Sequence, residues 1–314
     1  MWKACGWLGI VLGGCSRSGL AMLEPGEPVT LDCPTDVSDP RLPRFEAGKP
    51  GVIDATEFAG GPVATYRWEI VPEDCDAVLP SPADLVSGER TELLTFTPQR
   101  PDRHRVRLTL TGAQQQRASC EFEVAVDGRG LRVEACWDTS TTADLDLYVH
   151  SPRDQSPFFA TIGADNPYGL SPSTCNPANC VAELRFDAAR TDFGYADSPL
   201  ADCETGPSAA AFAALGRCPN PRAGLDNNQT LASGVSEVVQ IDAPPDGDTF
   251  RLMLHNFGNR AAKKTAIFVY CAGTRAGVLP GPVTPPDFRA PDGSSLVGLM
   301  WRAADVTAQR RTIS

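Results

Sequence analysis

Between residues 131 and 152 the chain reads LRVEACWDTSTTADLDLYVHSP: apolar residues alternate with polar ones, a Ser/Thr-rich turn interrupts them, and the alternation resumes. Period two is the signature of a half-buried strand, because successive side chains point to opposite faces. In the second of these strands Leu145, Leu147 and Val149 face a core, which places Asp144, Asp146, Tyr148 and His150 together on the other face. The same period recurs along most of the chain. VTLDC (29–33), ATYRWEI (64–70), LLTFTP (93–98), VRLTLTG (106–112) and CEFEVAV (120–126) form a first block of strands separated by turn residues. A second block holds LRVEACW, ADLDLYVH, VAELRF (181–186), SEVVQI (236–241), TFRLMLHNF (249–257), TAIFVYC (265–271) and GLMWRAADVT (298–307). Only AAAFAALG (209–216) has helical character. The turn Asp127-Gly128-Arg129-Gly130 separates the blocks as a hinge, and residues 34–62 read as a Gly/Pro-rich loop. The expectation is an all-β protein of two β-sandwiches, 29–127 and 131–310, the second larger and jelly-roll-like.

Composition supports strands over helices. A chain of 314 residues with 28 Gly and 28 Pro has many turns, and 42% hydrophobic residues suffice to fill two modest cores. The formal charge of −11 repels phosphate backbones, and no stretch concentrates Lys and Arg among aromatics, so nucleic acid is not an expected partner. The connections between 153 and 235 are long and rich in Asn, Pro and Gly, which is where a compact β-domain carries a binding surface.

The N-terminus has Lys3, a short apolar run from Trp7 to Leu12, and then Leu12-Gly13-Gly14-Cys15. It resembles a bacterial lipobox. That resemblance implies a signal peptide over 1–14, cleavage before Cys15, and acyl chains on Cys15. Ser16 beside it favours sorting to the outer membrane, and 15–28 become a tether. Acyl chains contribute about 0.8 kcal/mol per buried CH₂, so a lipidated cysteine anchors without a spanning helix. With Cys5 removed and Cys15 lipidated, nine of the 11 cysteines remain, more than a reducing compartment leaves unpaired. Candidate pairs are Cys175 with Cys180, Cys203 with Cys218, Cys136 with Cys271, and Cys33 with Cys120, leaving Cys75 odd; pairing of Cys75 with Cys33 or Cys120 is the alternative.

Two carboxylates on one strand face repel unless something offsets them. Asp144, Asp146, Asp226, Asn227, Asn228 and Glu237 are the oxygen donors a hard cation such as Ca²⁺ collects, six to eight at a time. A solvated acidic face with Asx-turns is the competing reading. No G-x-S-x-G elbow, H-E-x-x-H, P-loop or dinucleotide fingerprint occurs. Asp144 and Asp146, two apart on one strand, sit only about 6.5–7 Å apart with no cleft implied, so a noncatalytic role is expected.

Two resemblances cover most of the chain. YRWEI, LLTFTP and CEFEV, in that order, are similar to a PKD-type domain over about 24–127. Cys136-Trp137-Asp138, Asp144-Leu145-Asp146-Leu147-Tyr148, Leu225-Asp226-Asn227-Asn228, Glu237, Asp246-Gly247-Asp248-Thr249-Phe250, His255 and Trp301-Arg302-Ala303-Ala304-Asp305-Val306 resemble the YfaP-like domain of unknown function over about 129–310. Gly224 and Tyr148 depart from that pattern, which has Asp and His there. Together they imply an exported, outer-membrane lipoprotein that presents a β-sandwich to an envelope protein or polysaccharide. A structural subunit of an envelope assembly, or an accessory of a secreted hydrolase system, is the alternative.

Overall fold

The computed structural model describes residues 27–71, 86–98, 101–137, 144–153, 172–185, 188–203, 209–223, 237–256, 265–281 and 299–309. The first half holds strands β1 (Thr30–Leu31), β2 (Phe45–Glu46), β3 (Gly51–Asp54), β4 (Ala59–Gly60), β5 (Val63–Val71), β6 (Val86–Ser87), β7 (Leu93–Phe96), β8 (Asp102–Gly112) and β9 (Arg117–Asp127). The second holds β10 (Leu131–Trp137), β11 (Leu145–His150), β12 (Thr174–Cys175), helix α1 (Ala209–Leu215), β13 (Arg222–Ala223), β14 (Glu237–Ile241), β15 (Thr249–Asn256), β16 (Thr265–Cys271), β17 (Thr274–Pro280) and β18 (Leu299–Thr307). The protein is all-β, as the alternation predicts.

In the N-terminal half the long hairpin β8–β9 sets the frame. Val106, Leu108 and Leu110 on one strand and Cys120, Phe122, Val124 and Val126 on the other are buried. The intervening Arg and Glu residues face water and pair across the strands, Arg103 with Glu123 and Arg107 with Glu121, each at 2.8 Å. The four-stranded sheet β2-β9-β8-β5 packs against the three-stranded sheet β3-β7-β6, with β1 and β4 paired beside them. Ile53, Leu94 and Phe96 join Trp68, Leu108 and Phe122 in one cluster. The Trp68 indole N–H donates to the Thr91 carbonyl at 3.0 Å. Residues 34–62 correct the expectation of a loop, because they carry β2, β3, β4 and a 3-10 turn at Ala55–Glu57. The reason is Phe45, Ile53 and Phe58, each at most 2% exposed, which this core needs to close.

The C-terminal half is a sandwich of a five-stranded sheet, β13-β14-β10-β16-β17, and a four-stranded sheet, β12-β11-β15-β18. Leu131, Val133, Ala135 and Trp137 of β10 meet Leu145, Leu147 and Val149 of β11 and Phe250, Leu252 and Leu254 of β15 in one cluster. The outward face of β11 is not solvated as its polarity suggests: Tyr148 and His150 are buried, and Tyr148 clusters with Met253 and Met300. Residues 181–185 of VAELRF do not form a strand either. The carbonyls of Val181 and Ala182 accept from the Arg190 guanidinium at 2.7 and 2.9 Å, and the Arg185 N–H donates to Ala178, so turn and side chain satisfy this backbone instead of a neighbouring strand. β17 has no counterpart in the sequence reading, since its edge position leaves it mostly exposed and Gly277 interrupts its alternation.

Cys175–Cys180 and Cys203–Cys218 are disulfides, as their spacing suggests. Cys136 is disulfide-bonded, but not to Cys271, which is a free thiol. The register explains this: Cys136 lies opposite Ala266, whereas Cys271 lies opposite Leu131 at the far end of the same pair. That offset is roughly 17 Å along the strands, far beyond the ~7 Å Cα separation a disulfide tolerates. Cys33 and Cys120 are free thiols, and burial first, then the neighbouring Cys33, pushes the Cys120 thiol up to about 12. Cys15 and Cys75 lie outside the described residues.

Leu254 is fully buried in the centre of the C-terminal core, and Val278 on β17 is 46% exposed. Leu254→Ala is expected to destabilise by about 2–5 kcal/mol in denaturant titration and Val278→Ala by less than about 0.5 kcal/mol.

Candidate functional site

The acidic face of β11 is built by register. Asp146 lies opposite His255 on β15, and its Oδ2 is 3.4 Å from His255 Nδ1. The imidazole is 2% exposed and meets the Tyr148 ring edge-on at 5.8 Å. Strand alternation brings Asp144 to the same side. Burial first, and the Asp146 charge second, push the Asp144 carboxyl up to about 6, with His255 pulling partly the other way. Its Oδ1 is buried without a hydrogen-bond partner among the described residues.

Glu237 reaches this strand from a different sheet. It opens β14, opposite Ala135, and its Oε2 accepts a hydrogen bond from the Leu147 backbone N–H at 2.5 Å. β12 covers β11 only at Val149 and His150, so the Leu147 amide has no ladder partner on that flank and Glu237 supplies the acceptor. Of the expected cation set, Asp144 and Asp146 lie on one side at the start of β11, and Glu237 meets the backbone of that strand at Leu147. Asp226, Asn227 and Asn228 lie outside the described residues. Among the described residues, no group of three His, Cys, Asp or Glu side chains has the geometry to hold a metal. His150 and His255 lie on neighbouring strands but do not face each other: His150 Nδ1 lies 2.8 Å from Thr174 Oγ1, and His255 faces Asp146.

The segment from 172 to 223 carries the second set of polar groups. Asn176 and Asn179 of the CNPANC loop are fully buried. Asn176 Oδ1 accepts from the Ala178 N–H at 2.8 Å, and Asn179 Oδ1 accepts from Thr191 Oγ1 at 2.7 Å. The first is an Asx-turn inside the loop that the Cys175–Cys180 disulfide closes, and the second ties that loop to Thr191. Sequence reasoning missed Arg222. It is 1% exposed and donates to both oxygens of Asp242, at 2.5 and 2.9 Å, and to the Asp202 carbonyl at 3.0 Å. No spacing marks it, because its partners lie 20 residues away on either side. Around this frame Leu184, Leu200 and Leu215 remain exposed.

Chemically, the β11 end offers oxygen donors and one imidazole, and the stapled segment offers a rigid surface of backbone turns with scattered apolar side chains. No family model and no curated protein matches the chain.

The Asp144 shift has a defined sign. A carboxyl raised from about 3.9 to about 6 favours the protonated fold, so its contribution is full below about pH 4 and is lost as pH rises through about 6. Two units correspond to about 3 kcal/mol unscreened, and solvent screening of this partly exposed group reduces that to about 1 kcal/mol. Asp144→Asn is therefore expected to be more stable than the parent at pH 8 and equal to it near pH 4, in urea titrations at both values.

Proposed function

We propose that this chain is a noncatalytic, envelope-anchored lipoprotein that presents its C-terminal β-sandwich, and above all the stapled 172–223 segment, to a partner protein or polysaccharide. The observation that carries the reading is the pair of buried disulfides, Cys175–Cys180 and Cys203–Cys218, with all four cysteines at most 2% exposed. Structural disulfides of this kind persist in oxidising compartments, which agrees with an exported chain. They also fix, before any partner arrives, the conformation of the segment best placed to bind, which lowers the ordering cost of recognition. Among the described residues no helix is long and apolar enough to cross a membrane. Attachment in this reading runs through acylated Cys15, and the PKD-like half acts as the stem.

Ca²⁺ belongs to the same reading. A cation at the β11 end would relieve the repulsion between Asp144 and Asp146, and Asp226, Asn227 and Asn228 supply further oxygens of the right type.

Two measurements test this. Cys15→Ser should move the protein from the detergent-soluble membrane fraction to the soluble fraction and abolish labelling by a radioactive fatty acid; unchanged fractionation and labelling would refute the anchor. For the ion, thermal melts of the oxidised protein in EGTA and across a Ca²⁺ titration should show a rise of a few degrees, since saturation at a hundred times the dissociation constant adds about 2.7 kcal/mol. The double variant Asp144→Asn with Asp226→Asn should lose that rise. A parent melt indifferent to Ca²⁺ would refute the ion and leave the carboxylates a half-buried acidic cluster offset by His255.

A further inference from the structure

The short stretch from Asp127 to Leu131 reads as a hinge, yet the structure seats it on both sides. Glu46 and Asp127 are parallel-sheet partners, and the Ala47 N–H donates to the Asp127 carbonyl at 2.9 Å. From the other half, the Ala272 N–H donates to the Gly130 carbonyl at 2.8 Å. Gly128 and Gly273 let the two backbones touch: a Cβ on Gly273, at φ +81°, would stand 2.5 Å from the Gly128 nitrogen. What is missing at this seam is apolar packing. Among the described residues, the hydrophobic clusters end at Val126 on one side and begin at Leu131 on the other, and none contains residues from both halves. Polar interfaces of this kind leave two units free to reorient unless something specific holds them.

Arg129 is that element. Its Nη2 lies 3.0 Å from Glu46 Oε1 in the N-terminal sandwich, and its Nη1 pairs with Asp202 in the C-terminal one. Its own carbonyl accepts from Gln240 Nε2 at 2.8 Å. Both acceptors are held in turn. Lys49 Nζ lies 2.9 Å from Glu46 Oε2. Asp202 has its carbonyl on Arg222 and is followed by Cys203, whose disulfide to Cys218 fixes the 3-10 turn at Leu200–Cys203. The three-membered chain Glu46–Arg129–Asp202 borders a partly open cavity of about 30 Å³, room for water but not for an apolar side chain to pack.

We propose that Arg129 is a latch that sets the angle between the two sandwiches, and that the Cys203–Cys218 disulfide holds the acceptor on which it closes. Opening the latch separates the halves about residues 127–130; the other ion pair across the seam among the described residues, Arg275 with Asp102 at 3.5 Å, is longer and has one acceptor, so Arg129 and the disulfide behind Asp202 carry most of the orientation. The inference does not rest on membrane anchoring, and it holds equally for a free protein.

The test uses small-angle X-ray scattering and limited proteolysis beside Asp127 on the oxidised protein. Arg129→Gln, Glu46→Gln and Asp202→Asn, which cut the latch from the middle and from each half, should each increase the maximum dimension and speed cleavage a few-fold. Arg217→Gln, which removes the exposed Arg217–Asp197 pair inside the C-terminal half, should match the parent. The pair Cys203→Ser with Cys218→Ser should open the molecule as Asp202→Asn does while the far-UV spectrum stays that of a β-protein. Scattering curves of all three latch variants that superimpose on the parent would overturn the proposal. So would opening in Glu46→Gln but not in Asp202→Asn, which would make Arg129 an accessory of the N-terminal sandwich alone. A closed double-serine variant would remove the disulfide from the device.

Discussion

The buried Arg222 guanidinium ties the long connections of the C-terminal half to its sheet. Arg222 is sealed from water and is neutralised by both oxygens of Asp242, on the exit from β14. Removing one partner of such a pair costs about 3–5 kcal/mol, because the other charge is left buried alone. The constraint spreads outward from there. Arg222 fixes the carbonyl of Asp202, the Asn220 side-chain oxygen accepts from the Asp242 N–H at 3.1 Å, and β13 lies along β14. A segment with almost no sheet of its own is thereby tied to the sandwich by one ion pair, by β12 along β11 and β13 along β14, and by the Tyr195 hydroxyl on Asp248, while its two disulfides hold it together internally. The same residues carry Asp202 to the seam where Arg129 meets it. The candidate binding surface and the angle at which it is presented therefore have a common mechanical origin.

The β11 end follows a different logic. There the sheet leaves an amide without a ladder partner, Glu237 crosses from the opposite sheet to satisfy it, and two aspartates are held within reach of each other and of His255. Burial keeps Asp144 reluctant to ionise. Such a site is electrostatically unfinished in the sense that a proton or a cation improves it. That is the physical content of the Ca²⁺ reading, and it requires no catalytic role for any of these groups.

Much of the fold is legible in sequence where alternation is long and one face stays wet. β8 and β9 show this clearly, with Arg and Glu between buried aliphatics, and Trp68, Leu108 and Cys120 fall in one row across three strands. Legibility fails where the pattern is short or a long-range partner decides the outcome. Phe45, Ile53 and Phe58 are isolated apolar residues in a Gly/Pro-rich stretch, so nothing local announces β2 and β3. VAELRF alternates like a strand, but Arg190 and a turn claim its backbone. β17 lacks the alternation because it lies at an edge. For the candidate site, the shared face of Asp144 and Asp146 follows from strand geometry alone. The pairing of Asp146 with His255, the reach of Glu237 and the impossibility of a Cys136–Cys271 bond all follow from register, which one sequence does not contain.

The central claim is that an oxidising environment sets the shape of the candidate binding segment through two particular bonds. The most direct measurement is mass-spectrometric mapping of disulfides in the protein taken from its native cells with free thiols blocked at lysis. The account predicts peptides linked through Cys175–Cys180 and Cys203–Cys218. Recovery of these four cysteines in alkylated form would contradict it, since neither the stapled surface nor the exported setting would then stand.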